Sequence, residues 1–219
     1  MAETTVPSAM SPTEEEAVFY HEAALNASWT GVRLALGGMS FLFGSFVFAF
    51  FYLKSLNSHH LWYTSGSHPK AWYGVVITLL VVVSALVQTA VLQLIKRGNK
   101  TAWQRGAVVA LGLGLAAVLF SILQLLYLPF WPAAGGFASV FVGYWPVYLA
   151  IAFCAMVWLE ILIMRSRSIP QISFVEQPPT YAEAFAVQRF QASLSAFTLT
   201  WNYLAVMAVI AWILFYLVH

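Results

Sequence analysis

Five stretches of the chain are apolar over more than 20 residues, and the polar residues gather between them. They cover about 31–53, 72–95, 106–128, 138–164 and 194–218. A helix needs roughly 20 apolar residues to cross a bilayer. Lipid offers the backbone no outside partner, so each stretch is expected to be a helix. Three connections are short: "KSLNSHHLWYTSGSHPKA", "KRGNKTAWQR" and "PFWPAAGGF". A longer one runs from Arg165 to Ser193 and contains "SIPQISFVEQPPT", whose prolines forbid regular helix throughout. After it, "TYAE" reads as a capping box, with the Thr180 hydroxyl accepting from the Glu183 amide and the carboxylate reaching back. No helix breaker follows. Two readings of the last helix therefore stand: one helix from near Thr180, or a short helix with a bend near Ser193. Pro146, in "GYWPVY", predicts a kink in the fourth helix. No internal repeat points to an inverted-repeat transporter. The expected fold is all-α: residues 31–219 form a single transmembrane bundle of five helices, preceded by a cytoplasmic segment, residues 1–30.

Composition supports a membrane protein. Of 219 residues, 61% are hydrophobic and 8% charged, against about 25% charged in a soluble domain, which leaves nothing for a second, soluble domain. The N-terminal "MAETTVPSAMSPTEEEAVFYHEAAL" has no basic stretch before the first apolar run, so a cleavable signal peptide is not expected. The distribution of charge is more informative than the net +2. Arg33, Lys96, Arg97, Lys100, Arg105, Arg165, Arg167 and Arg189 fall on the side of the N-terminus, and only Lys54 and Lys70 on the other. Cytoplasmic loops are enriched in Lys and Arg, so the N-terminus is expected in the cytoplasm and, after five crossings, the C-terminus outside.

Few groups could carry chemistry. Cys154 is alone, which leaves no disulfide framework and no CxxC pair within the chain, and it reads as a small buried hydrophobe. His21, His59, His60, His68 and His219 all lie outside the apolar stretches, so no intramembrane haem or copper ligation is expected of this chain. "HHLWYTSGSH" has no carboxylate and reads as a solvated or partner-facing loop rather than a metal site. Glu160 is the only carboxylate within an apolar stretch, about 6 Å from its cytoplasmic end. Either it rises to the interface and pairs with a base, or it serves proton transfer or partner contact.

Ser40, Gln88 and Asn202 each fall within about 10–14 Å of the cytoplasmic face. Polar side chains at one level hydrogen-bond between helices; a water-filled proton inlet is the alternative. Trp29, Trp62, Tyr63, Trp72, Trp103 and Trp131 fall near helix ends and read as an aromatic belt. Trp158, Trp201 and Trp212 lie deeper and read as packing or lipid contacts. There is no phosphate loop, catalytic triad or nucleic-acid-reading element.

Three blocks resemble subunit III of the haem-copper oxidases, in a five-helix form that lacks the first two helices of longer relatives. They are "RLALGGMSFLFGSFVFAFFYL" (33–53), "VVITLLVVVSALVQTAVLQLIKRGNKTAWQRGAVVALGLGLAAVLFSILQLLYL" (75–128) and the closing "LTWNYLAVMAVIAWILFYL". The second holds a basic "RGN" turn and a late glutamine. The family pattern is broken in three places: Gly38 stands where it has a glutamate, Asn202 and Ala205 where it has His and Asp, and "GYWPVY" replaces a histidine-rich entry to the fourth helix. The resemblance implies an accessory subunit of a cytochrome c or quinol oxidase with no catalytic residue and no cofactor of its own. Haem and copper would reside in partner subunits, and its partners would be oxidase subunits I and II and phospholipid. It further implies a bacterial cytoplasmic membrane and support for proton uptake and durability in turnover. The polar or contact candidates are Ser40, Gln88, Glu160, Trp201 and Asn202. A membrane subunit of an ammonia or methane monooxygenase, or a small transporter, remains the alternative.

Overall fold

The computed structural model describes residues 12–57, 62, 68–170, 174 and 181–218. Thr180, Tyr63, His59, His60 and His219 lie outside them, and with them part of the capping box and most of the histidine-bearing loop. Five α-helices follow in order: α1 Pro12–Ser55, α2 Ala71–Lys96, α3 Lys100–Leu126, α4 Gly136–Ser168 and α5 Tyr181–Trp212. A 3₁₀ turn, Pro132–Ala134, precedes α4, and a π-helical turn, Ile213–Leu217, extends α5. Each α-helix holds a segment long and apolar enough to cross a membrane: Glu22–Ser55, Ala71–Lys96, Lys100–Leu126, Gly136–Ser168 and Glu183–Leu217.

α1 starts well before residue 31. "PTEEEAVFYHEAALNASWT" opens with proline, which suits a first helical turn, and has no breaker before Gly31. Its 44 residues extend about 66 Å, twice the thickness of a hydrocarbon core. α5 is one uninterrupted helix through Ser193, the first of the two readings. The "RGN" turn has a local physical cause. Gly98 takes φ 79°, a conformation cheap only for glycine, and its N–H meets the Ile95 carbonyl at 2.9 Å. Asn99 then caps α3, its side chain accepting from the Ala102 N–H at 3.0 Å. Pro146 sits inside an α4 that continues to Ser168, so the proline does not end the helix; its ring removes the N–H that the Val142 carbonyl would have used.

α2, α3, α4 and α5 form a closed ring, each packed on the next, and α1 lies outside against α4 and α5. Close approach between helices depends on small residues. At Gly106 a side chain would run into Val91, and at Gly114 into Met156. One end of the ring is filled with aromatic rings. Phe50 meets Trp62 edge-on at 5.0 Å and Phe141 meets Phe215 at 5.1 Å. The same end ties α1 to the last turn of the chain and the first connection to α4, since Lys54 Nζ donates to the Val218 carbonyl and the Phe137 N–H to the Trp62 carbonyl. At the other end Lys100 Nζ donates to the Ile169 carbonyl and Gln104 to Ser166 at 2.8 Å.

Two readings of single residues change. Trp62 and Trp103 belong to the core rather than to a belt, at 4% and 0% exposure. Trp62 lies in the connection between α1 and α2 and Trp103 in the first turn of α3, and both face inward, Trp103 meeting Phe190 edge-on at 5.4 Å. Trp72 and Trp131 are exposed, as a belt requires. Cys154 is exposed, not buried, because it falls on the outward side of α4 beside the exposed Phe153.

Candidate functional site

The polar groups of α2 recur at helical spacing: Ser84 and Gln88 lie one turn apart on one side of the helix, with Thr89 at the edge of that side. Opposite them α5 offers Thr198, Trp201 and Asn202, and three contacts join the two. Deepest is the Trp201 indole, which donates to Ser84 Oγ at 3.0 Å, while Ser84 donates to the Ala110 carbonyl of α3 at 2.7 Å. Ser84 and Trp201 are fully buried, so this relay links three helices away from water. One α5 turn earlier, Gln88 Nε2 donates to Thr198 Oγ1 at 3.3 Å and Thr198 to the Leu194 carbonyl at 2.9 Å. Gln88 Oε1 is buried with no partner.

The third contact reaches the surface. Asn202 Nδ2 donates to Thr89 Oγ1 at 3.0 Å, and Thr89 to its own helix at the Ala85 carbonyl, 2.8 Å away. Both line an otherwise apolar outer groove of about 460 Å³ with Ala85, Leu86, Ala205 and Val206. Towards the aromatic end, Gln124 of α3 donates to the Tyr216 hydroxyl. A side chain at Gly74 would collide with that ring. From α4, the hydroxyls of Tyr144 and Tyr148 donate to the Met207 and Leu204 carbonyls at 3.0 and 3.1 Å.

Gln88, Trp201 and Asn202 thus come together on one seam. Ser40 does not join them: it is exposed on α1 and donates back to Leu36 at 2.8 Å, the ordinary fate of a serine in a helix. Glu160 is separate too, exposed on the outside of α4. Because α4 continues to Ser168, Glu160 lies eight residues, about 12 Å, from the helix end rather than 6 Å. Ser84, Thr89 and Thr198 were missed as candidates. Their signal in the sequence is the matching three-to-five-residue spacing of polar positions in two apolar stretches.

Chemically the seam is an array of amides, hydroxyls and an indole, none of which gains or loses a proton near neutral pH. It can hold helices in register. Among the described residues no three His, Cys, Asp or Glu side chains are placed to share a metal ion. No family model matches the chain, and no curated protein matches it either.

Proposed function

We propose that this chain is a non-catalytic accessory subunit, of the subunit III kind, of a respiratory haem-copper terminal oxidase in a bacterial cytoplasmic membrane. The observation that carries the reading is the charge frame of the five apolar helices. Lys96, Arg97, Lys100, Arg105, Arg165, Arg167 and Arg189 belong to the end marked by the Lys100–Ile169 contact, and Lys54 to the end marked by Val218. By the positive-inside rule the basic end is cytoplasmic, the orientation the three resembling blocks require. They fall in order on α1, on α2 with α3, and on α5. Haem and copper then belong to subunits I and II, and this chain contributes packing and lipid contact.

The seam between α2 and α5 supports a holding role. Asn202 occupies the family's histidine position but cannot titrate there. Lipid contact is supported by a groove of about 300 Å³ between the end of α4 and the start of α5, where Arg165, Arg189, Ser168 and Ser193 meet the rings of Phe185 and Phe190. Two guanidiniums beside apolar walls suit an anionic headgroup and its acyl chains. Removal of the chain from the purified oxidase is the test. The haem spectra should stay unchanged while the enzyme inactivates sooner during turnover; an unaltered working lifetime contradicts the proposal.

A further inference from the structure

Glu160 is the only acidic residue between Gly136 and Met164 of α4, and the seam of α2 and α5 makes no use of it. Ala150, Phe153, Val157, Glu160, Met164 and Arg167 are all exposed and alternate at spacings of three and four. That is the spacing of a coiled-coil stripe, which presents itself to a single neighbouring helix. Phe153 and Met164 are 53% and 56% exposed, so the chain leaves this stripe uncovered. Side chains on a helix tilt toward its N-terminus. For α4 that direction leads away from the basic end, so the carboxylate leans away from Arg165, five residues and about 7.5 Å along the axis. Among the described residues no Lys, Arg or His closes an ion pair with it.

We propose that this stripe docks one transmembrane helix of a neighbouring subunit, and that this helix carries an arginine or lysine at the depth of Glu160. The proposal rests on reading α4 as a membrane span. A carboxylate facing lipid is costly, and such residues pair with opposite charge. A second copy of the chain is the wrong occupant. A two-fold axis along the membrane normal would set both Glu160 side chains at one depth, like charge against like. A purely apolar helix would fill the stripe but leave the charge unmatched.

The test uses the full chain in phospholipid vesicles with designed Leu/Ala helices of about 23 residues that carry Arg, Gln or Leu at the matching depth. Energy transfer between labelled chain and labelled helix reads association. The Arg helix should bind about tenfold more tightly than the Leu helix. Glu160→Gln should erase that preference and Glu160→Asp retain it, with thermal unfolding unchanged because Glu160 touches no interior group. Equal binding of the Arg and Leu helices, a preference that survives Glu160→Gln, or self-association stronger than binding of the Arg helix would each overturn the proposal. An alkaline carbonate wash comes first. Release of the chain from the vesicles would refute the membrane reading, and this proposal with it, whereas a retained chain confines any failure to the docking.

Discussion

Ser84 is one oxygen atom that joins three helices, and its removal should be felt in full. Its hydroxyl accepts from Trp201 Nε1 at 3.0 Å and donates to the Ala110 carbonyl at 2.7 Å. Ser84→Ala keeps the side chain's outline while leaving the indole N–H without an acceptor where Trp201 is 0% exposed. The Ala110 carbonyl loses less, since it keeps the bond of its own helix. An orphaned buried donor costs about 1–3 kcal/mol. Hydrogen bonds between membrane helices average only about 0.6 and reach about 1.7 kcal/mol. The membrane range governs, because the unfolded helices also find partners, and it puts the loss of the Trp201 bond at about 0.6–1.7 kcal/mol. Trp201→Phe removes the same donor while keeping a ring in place, so a double-mutant cycle isolates the pair. Unfolding by SDS titration in mixed micelles, on the wild type, both single variants and the double variant, should give a coupling of about 0.6–1.7 kcal/mol. Additivity within about 0.3 kcal/mol, or a Ser84→Ala chain more stable than the wild type, would show that the Trp201–Ser84 bond does not hold α2 to α5.

Two glycines should differ in their tolerance of alanine. At Gly106 a new Cβ meets the branched Val91, with Val91 Cβ itself at 3.1 Å. That side chain is stiff, so Gly106→Ala should cost about 1–3 kcal/mol in the same titration, and Val91→Ala should rescue it. At Gly114 the nearest atoms belong to Met156, a flexible side chain, with the Trp201 ring at 3.3 Å; Met156 can bend aside, so the loss should be smaller there. Asn202→Leu removes the contact with Thr89; the yield of assembled complex should fall while the pH profile of turnover keeps its shape, and the reverse result would revive a proton role. Orientation can be read with cysteines in a Cys154→Ser background. A membrane-impermeant maleimide added to intact cells should label Leu56→Cys and reach Arg97→Cys only after permeabilisation.

The five helices were legible because a run of apolar residues has one stable backbone in lipid, and the turn between α2 and α3 because Gly98 and Asn99 sit where a helix end and a helix start need them. The length of α1 was hidden, since its first half is polar and helix propensity, not hydropathy, decides it. Depth alone grouped Ser40 with Gln88 and Asn202, because counting residues from a helix end gives height and not direction. Ser40 turned out to face away, while Ser84, Thr89 and Thr198 faced in. The outward placement of Cys154 was beyond the sequence for the same reason: residues 149–158 of α4 are all apolar, so no local pattern distinguishes the lipid face from the core face.

Membership of an oxidase complex is tested most directly by purifying the chain through an affinity tag from membranes solubilised in mild detergent and recording the visible difference spectrum of the eluate. Reduced haem bands and oxygen consumption should co-elute with the tag in constant proportion to the chain. A pure, stable chain that elutes without haem absorbance or oxygen uptake, from membranes that retain both, would contradict the assignment.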